Sequence, residues 1–177
     1  MDYSRDFEIK IATKHDSIVI IKLLKQIAQW MKDNDIKQWG FLLDGGEDEE
    51  IEQAIINQET YIVLNDKDIV ATFTLLSKQS EWDRYIWGSD ISLTKSLYLH
   101  RLAIIPTYMK KGLGKTILTW INDNVNDTEY AYIKLDCVND NIKLNNFYKS
   151  NDFELIGEID GHSKYQKSIK KNVKFVK

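Results

Sequence analysis

One proline, one cysteine and three histidines are all that this chain of 177 residues contains of those types. A lone cysteine, Cys137, cannot close an internal disulfide, which fits a reducing compartment such as the cytoplasm. No His, Cys or carboxylate cluster has the spacing of metal ligands, so no metal is expected. No run approaches the roughly 18 consecutive apolar residues of a membrane span. The opening Met-Asp-Tyr-Ser-Arg-Asp lacks the basic then apolar pattern of a secretory signal. The expectation is a soluble, cytoplasmic protein without a membrane partner. The formal charge of -3 leaves no basic excess, which argues against general nucleic-acid binding.

What is present is ordinary for a globular protein, with 43% hydrophobic and 29% charged residues. The length supports one proper core and is short for two, so residues 1–177 are expected to form a single domain. Charge is unevenly spread. Asp44 to Glu59 holds seven acids and no base, and Lys164 to Lys177 holds six lysines and no acid. A solvated helix face explains the first more simply than a lip that attracts a cationic amine, and a solubilising end explains the second.

Hydrophobic period gives a coarse order of elements. Ile9 and Ile11 suggest a first strand. Thr13 or Asp16 can cap a helix that turns Ile18, Ile21, Leu24, Ala28 and Met31 inward and ends near Asn34. Ile36 to Gly46 reads as a loop, and Asp48 to Gln58 as a second helix with Ile51, Ala54 and Ile55 inward. Thr60 to Leu64 and Ile69 to Leu76 form a hairpin across Asn-Asp-Lys-Asp. Ser77 to Lys95 is irregular, with Trp82, Tyr85 and Trp87 packing under a loop or lining a substrate mouth. Tyr130 to Val138 is a strand and Asn141 to Ser150 a helix. Phe153 to Ile159 and Tyr165 to Ile169 close a last hairpin at Gly161.

The middle of the chain is the most informative. Leu97 to Ile105 is dense in apolar residues without helical period, as in a buried strand, and Pro106 ends it. Two lysines and the pair Gly112 and Gly114 follow, then Leu113, Ile117, Trp120 and Ile121 at helical spacing. Glycines where a strand passes into a helix let backbone approach a ligand, while the helix start offers free N–H groups and partial positive charge to an anion. A P-loop needs Gly where Met109 stands, and a dinucleotide fingerprint needs Gly where Ile117 stands, so neither motif is met.

The segment resembles the acyl-CoA loop of the GCN5-related N-acetyltransferases (GNAT), Arg/Gln-x-x-Gly-x-Gly/Ala after an apolar strand triplet, here Leu102, Ala103 and Ile104. Met109 occupies the Arg/Gln position. The other half of that family's signature is Asn, two residues, a small or apolar residue, three residues, Tyr, four residues, Phe. Asn141, Leu144, Tyr148 and Phe153 meet it in register, with Asp152 where Gly is usual. Together the two halves cover Leu97 to Ile159.

The resemblance implies a mixed α/β fold: a central, mostly antiparallel sheet of six to seven strands with helices on both faces. It implies an N-acetyltransferase that takes acetyl-CoA as co-substrate and needs no metal. Leu102, Ala103 and Ile104 would pair with the pantetheine arm as an added strand would, in a splay between this strand and the next. In the cofactor loop that Met109 opens, the amides of Lys110, Lys111, Gly112, Leu113, Gly114 and Lys115 would hold the pyrophosphate. Asn141 would contact the cofactor as well as cap its helix, and Tyr148 would protonate the leaving thiolate. The amine would attack directly, without a covalent enzyme intermediate. The acceptor is a small-molecule or peptide amine, with the acidic second helix favouring a small cationic one, and a homodimer is compatible with the family.

Simpler readings stand beside these. Tyr148 can be a core aromatic and Asn141 only a cap. His100, which by strand alternation shares the face of Leu102, reads as structural. His15 and His162 fall in turns and look incidental, and Cys137 reads as packing. Glu81, Asp83, Asp90, His100 and Asp136 are equal candidates for the general base. A non-catalytic acyl-CoA sensor or interaction module on the same fold is the alternative, favoured by Met109 and Asp152 and disfavoured by Asn141 and Tyr148.

Overall fold

The computed structural model describes residues 6–91, 93–125 and 128–169. Within them the elements run β1 (Phe7–Ile11), α1 (Ser17–Asp33), α2 (Gly40–Leu43), α3 (Asp48–Ile56), β2 (Thr60–Asn65), β3 (Asp68–Leu76), α4 (Glu81–Trp87), β4 (Lys95–Ile104), α5 (Leu113–Asn124), β5 (Tyr130–Val138), α6 (Ile142–Ser150), β6 (Glu154–Ile159) and β7 (His162–Ser168). The strands are ordered β1-β2-β3-β4-β5-β7-β6 in one mixed sheet. β1 with β2, β2 with β3, β5 with β7 and β6 with β7 are antiparallel; β4 and β5 run parallel from Lys95↔Tyr130 to Tyr98↔Lys134. The expected mixed, mostly antiparallel α/β fold is therefore present. The chain divides into two compact units, Met1–Leu75 with His100–Gly114, and Leu76–Leu99 with Lys115–Lys177.

In the first unit an aliphatic core joins Ile20, Leu23, Leu24, Ile27 and Ala28 of α1 to Leu42 of α2, Ile51 and Ile55 of α3, Ile62 and Leu64 of β2, and Ala103 of β4. Full burial of each Ile or Leu is worth about 1.5–3 kcal/mol. The start of α1 is tied by Asp16, whose carboxylate accepts from the Thr13 N–H at 2.7 Å and Oγ1 at 3.0 Å. Of the expected inward residues Leu24 and Ala28 are buried and Ile21 and Met31 pack against the core, but the first, Ile18, does not. Ile18 is 81% exposed. Ile18, Val19, Ile20 and Ile21 are consecutive, so two stripes of helical spacing compete, and packing against α3 and β2 selects the one through Ile20, Leu24 and Ile27. The expected loop at Ile36 to Gly46 contains α2, entered through Trp39 in the left-handed region at φ 63. A single turn of helix is too short for periodicity to reveal.

In the second unit the segment expected to be irregular, Ser77 to Lys95, contains α4. Its start carries a capping box: the Ser80 hydroxyl accepts from the Asp83 N–H at 3.1 Å, and Asp83 Oδ2 accepts from the Ser80 N–H at 2.9 Å. That Ser-x-x-Asp signal was readable, but the aromatics around it masked the helix. The hairpin β6–β7 turns through Asp160 and Gly161, at φ 45 and 77, the pair of left-handed residues that a two-residue hairpin turn demands. His162 opens β7 and is not a turn residue. Of the run of lysines from Lys164 to Lys177, Lys164 and Lys167 lie in β7, and those beyond position 169 lie outside the described residues.

Candidate active site

The first unit holds the strand triplet and the loop. Leu102, Ala103 and Ile104 end β4, with Ala103 buried in the aliphatic core. Just before them Arg101 sits at φ 49, a conformation that costs a non-glycine residue about 1–2 kcal/mol. Its guanidinium donates from Nη1 to Glu47 Oε2 at 3.2 Å. Such mid-strand interruptions gather beside functional sites, and no sequence signal announces one at an arginine.

Past Ile104 the chain turns through Pro106–Tyr108 and enters the lysine-glycine loop. Tyr108 anchors it. Its hydroxyl accepts from Asn65 Nδ2, its ring meets Phe7 edge-on, and the Lys111 ammonium lies 5.1 Å from its centroid. Lys110 and Gly112 both take positive φ, 62 and 77. Left-handed residues alternating with ordinary ones turn successive N–H groups to one side, the concavity that suits an anion. At Gly112 the demand is conformational, since an added Cβ would meet nothing within 4 Å. Leu113 and Gly114 are buried and begin α5, so the free N–H groups of a 12-residue helix open where the loop ends. Lys110 and Lys111 are exposed and Met109 half-buried. These residues fit a pyrophosphate through backbone donors and two flanking cations, with no need of a polar side chain at 109.

The second unit holds Lys115, exposed on α5, together with Asn141 and Tyr148. Asn141 is the N-cap of α6, its Oδ1 accepting from the Leu144 N–H at 3.1 Å. Tyr148 is 6% exposed. Its ring lies against Phe153 at 5.6 Å and Tyr165 at 5.8 Å between centroids. Burial first, then the nearby Cys137 and Asp136, push its phenol above the ordinary tyrosine value, so it keeps its proton at neutral pH. Asp152, which replaces the usual glycine, takes φ 67 and keeps the left-handed turn that glycine would make.

Two groups escaped the sequence reading. Asn145 is buried and fully engaged: its Nδ2 donates to the Val138 and Asn141 carbonyls at 3.0 and 2.8 Å, and its Oδ1 accepts from the Tyr165 hydroxyl at 2.7 Å. It fixes α6, and hence Tyr148, to the end of β5 and the middle of β7. His162, expected to be incidental, has Nδ1 at 3.1 Å from Asp136 Oδ2. Pairing across strands brought these together, which spacing along the chain cannot show. Cys137 is buried, and desolvation with the Asp136 charge pushes its thiol up to about 12, which makes it packing and not a nucleophile.

Glu49, Glu50 and Glu52 project from α3 into solvent, while Asp48 pairs with Lys25 at 3.0 Å. The acidic run is thus largely a solvated face. Among the described residues no group of three His, Cys, Asp or Glu could hold a metal, and no helix is long and apolar enough to cross a membrane.

The acetyltransferase (GNAT) family model matches residues 24–153, a span drawn from both units. The chain is 34% identical over 159 residues to the Bacillus subtilis (strain 168) protein named "Uncharacterized N-acetyltransferase YesJ", covering 89% of this chain and 88% of that one. A GNAT-family acetyltransferase crystal structure from Listeria monocytogenes 4b F2365 is 26% identical, with a TM-score of 0.79 over 92% of this chain and 94% of that one. The PaiA N-acetyltransferase from Thermoplasma acidophilum, crystallised in complex with coenzyme A, shares the fold at a TM-score of 0.71 and 16% identity, over 92% of this chain and 98% of that one. Family model, relative and fold agree, and the chain belongs to the GNAT family as an acetyl-CoA-dependent acetyltransferase.

Proposed function

We propose that this acetyltransferase, acting as one cytoplasmic acyltransferase domain, transfers acetyl from acetyl-CoA to the primary amine of a small cationic molecule by direct attack in a ternary complex. The observation that carries the cofactor half is the loop with Lys110 and Gly112 at positive φ opening onto the start of α5. In this reading the amides from Lys110 to Lys115 hold the pyrophosphate, and the backbone of Leu102, Ala103 and Ile104 pairs with the pantetheine arm. Asn141 orders the start of α6 beside the acyl group. Tyr148, buried and protonated, donates to the departing sulfur, whose conjugate acid has a pKa of roughly 8.5, the reference value for a thiol. Bound thioester and amine are held in line, and that proximity supplies most of the rate.

A small cationic acceptor is supported by the exposed carboxylates Glu49, Glu50 and Glu52, which draw cations at long range without binding them. The test is a panel of 1,4-diaminobutane, spermidine, kanamycin, a peptide N-terminus and a lysine peptide, followed by release of free CoA. Small polycations should be acetylated fastest. Reversing charge at Glu49 and Glu50 to lysine should raise their KM severalfold at low salt and leave that for acetyl-CoA unchanged. Preference for the neutral or peptide acceptors counts against the reading.

A further inference from the structure

Asp136 and His162 lie on the side of β5 and β7 opposite Tyr148. The register pairs Asp136 with Lys164, Cys137 with Ser163 and Val138 with His162. Alternation therefore sends Cys137 and Tyr165 to the side where Tyr148 packs, and Asp136 and His162 to the other. On that other side α4 contributes Trp82, whose Nε1 donates to Oδ1 and Oδ2 of Asp136, both at 3.1 Å. The Trp82 ring meets the His162 ring edge-on at 5.0 Å. His162 Nδ1 is shut off from solvent and finds no well-aligned hydrogen bond; the acceptor within reach is Asp136 Oδ2 at 3.1 Å. A carboxylate at Nδ1 holds the ring proton there and leaves the lone pair on Nε2. Beside this pair, Trp82 is 41% and Tyr85 52% exposed, their centroids 5.7 Å apart. Exposed ring faces next to a held carboxylate attract an ammonium group.

We propose that His162 is the base that takes the proton from the acceptor ammonium, that Asp136 positions its imidazole, and that Trp82 and Tyr85 receive the cation. The inference rests on the acetyl-transfer reading above and names the amine side of that reaction. His162 Nε2 accepts one proton from the ammonium and frees the nitrogen lone pair. That pair forms the C–N bond to the thioester carbonyl carbon as the C–S bond breaks. The sulfur takes the Tyr148 proton, and the new amide nitrogen sheds its surplus proton through water to the tyrosinate. The imidazolium returns its proton to solvent, so the balance is one ammonium and one thioester giving one amide, one thiol and one proton.

Also charged on this side are Lys134 of β5 and Lys164 of β7, their ammonium groups 5.0 and 5.4 Å from the Trp87 centroid, and Glu154 of β6, which pairs with Gln166; α4 itself begins with Glu81. On α4, Arg84 donates to the Gln79 carbonyl at 3.0 Å, and Asp83 is taken up by the cap at Ser80. Lys134, Lys164, Arg84 and Asp83 are thus engaged elsewhere, and His162 is the imidazole against Asp136.

Two measurements decide it. Nitrogen NMR of the imidazole should find the parent protein's neutral His162 protonated on Nδ1, and Asp136→Asn should weaken that preference; a neutral ring protonated on Nε2 overturns the proposal, whether or not an acceptor has been found. With the best amine of the panel, His162→Gln should lower kcat/KM by about 10²-fold and remove the acidic limb of its pH profile. Imidazole added to His162→Gly should restore part of the rate. Calorimetry should give both variants the parent's acetyl-CoA affinity, which separates lost chemistry from lost fold. An unchanged pH profile in His162→Gln overturns the proposal and leaves the acetyl-transfer reading standing; a parent protein that acetylates no amine sinks that reading, and this base with it.

Discussion

The two units are built on different terms. The first is held by aliphatic area, with Ile20, Leu24, Ile27, Ile55 and Ile62 buried together and charged pairs such as Lys25–Asp48 half-exposed. The second buries aliphatic side chains too, among them Ile117, Ile121, Ile133 and Leu135, but adds directed contacts: Tyr148 against Phe153 and Tyr165, Asn145 bridging α6 to both strands, Trp82 and His162 on Asp136. Area tolerates exchange among hydrophobes of similar volume, whereas directed contacts fix atoms and fail when one partner is lost. The side chains proposed to move protons all stand in the second unit, and the backbone proposed to hold the phosphates stands in the first.

The sharpest test of that contrast removes a single oxygen. Tyr148→Phe keeps every ring contact, so stability and acetyl-CoA affinity should hold while turnover falls by about 10²- to 10⁴-fold, the range for a lost general acid. A turnover near the parent's would make Tyr148 a packing residue only. Next in size, Ile27→Ala in the first unit should cost about 2–5 kcal/mol in denaturant unfolding. In the fraction that stays folded, kcat should be unaltered. Gly114→Val, at a buried position where the proposed cradle brings backbone close to a phosphate, should weaken acetyl-CoA binding by about 1–3 kcal/mol through overpacking. Calorimetry showing parent affinity would mean the cradle lies elsewhere. The smallest effect belongs to Asn145→Ala, about 1–3 kcal/mol for the buried Tyr165 hydroxyl and Val138 carbonyl left unpaired. Unlike Ile27→Ala it should also lower kcat, because α6 carries Tyr148.

How much of this the sequence revealed follows the same division. The loop from Met109 to Lys115, the cap at Asn141 and the helix bearing Tyr148 were legible because each is a local pattern of a few residues. So were the inward positions of α3, where only one apolar stripe exists. The inward residues of α1 were legible from Ile21 to Met31 but not at its start, because Ile18 and Ile20 offer competing stripes and the choice is made by residues far along the chain. The environments of Asn145 and His162 were not legible for a related reason: their partners, Tyr165 and Asp136, are 20 and 26 positions away and meet them only through the pairing of β5 with β7.

The left-handed residue inside β4 bears on how that strand can be read at all. Alternation works like a reading frame of two, and Arg101 at φ 49 is a frameshift within it. His100 and Leu102, two apart, would share a face in an unbroken strand, but the rule does not carry across the interruption. Lys95 to Leu99 and Leu102 to Ile104 are therefore two short messages in different frames, joined by one residue. A substitution at 101 is constrained twice over. Glycine would accept the backbone and lose the tie to Glu47, lysine could keep a charge and lose the fork, and a β-branched residue would refuse the conformation and tend to restore the frame.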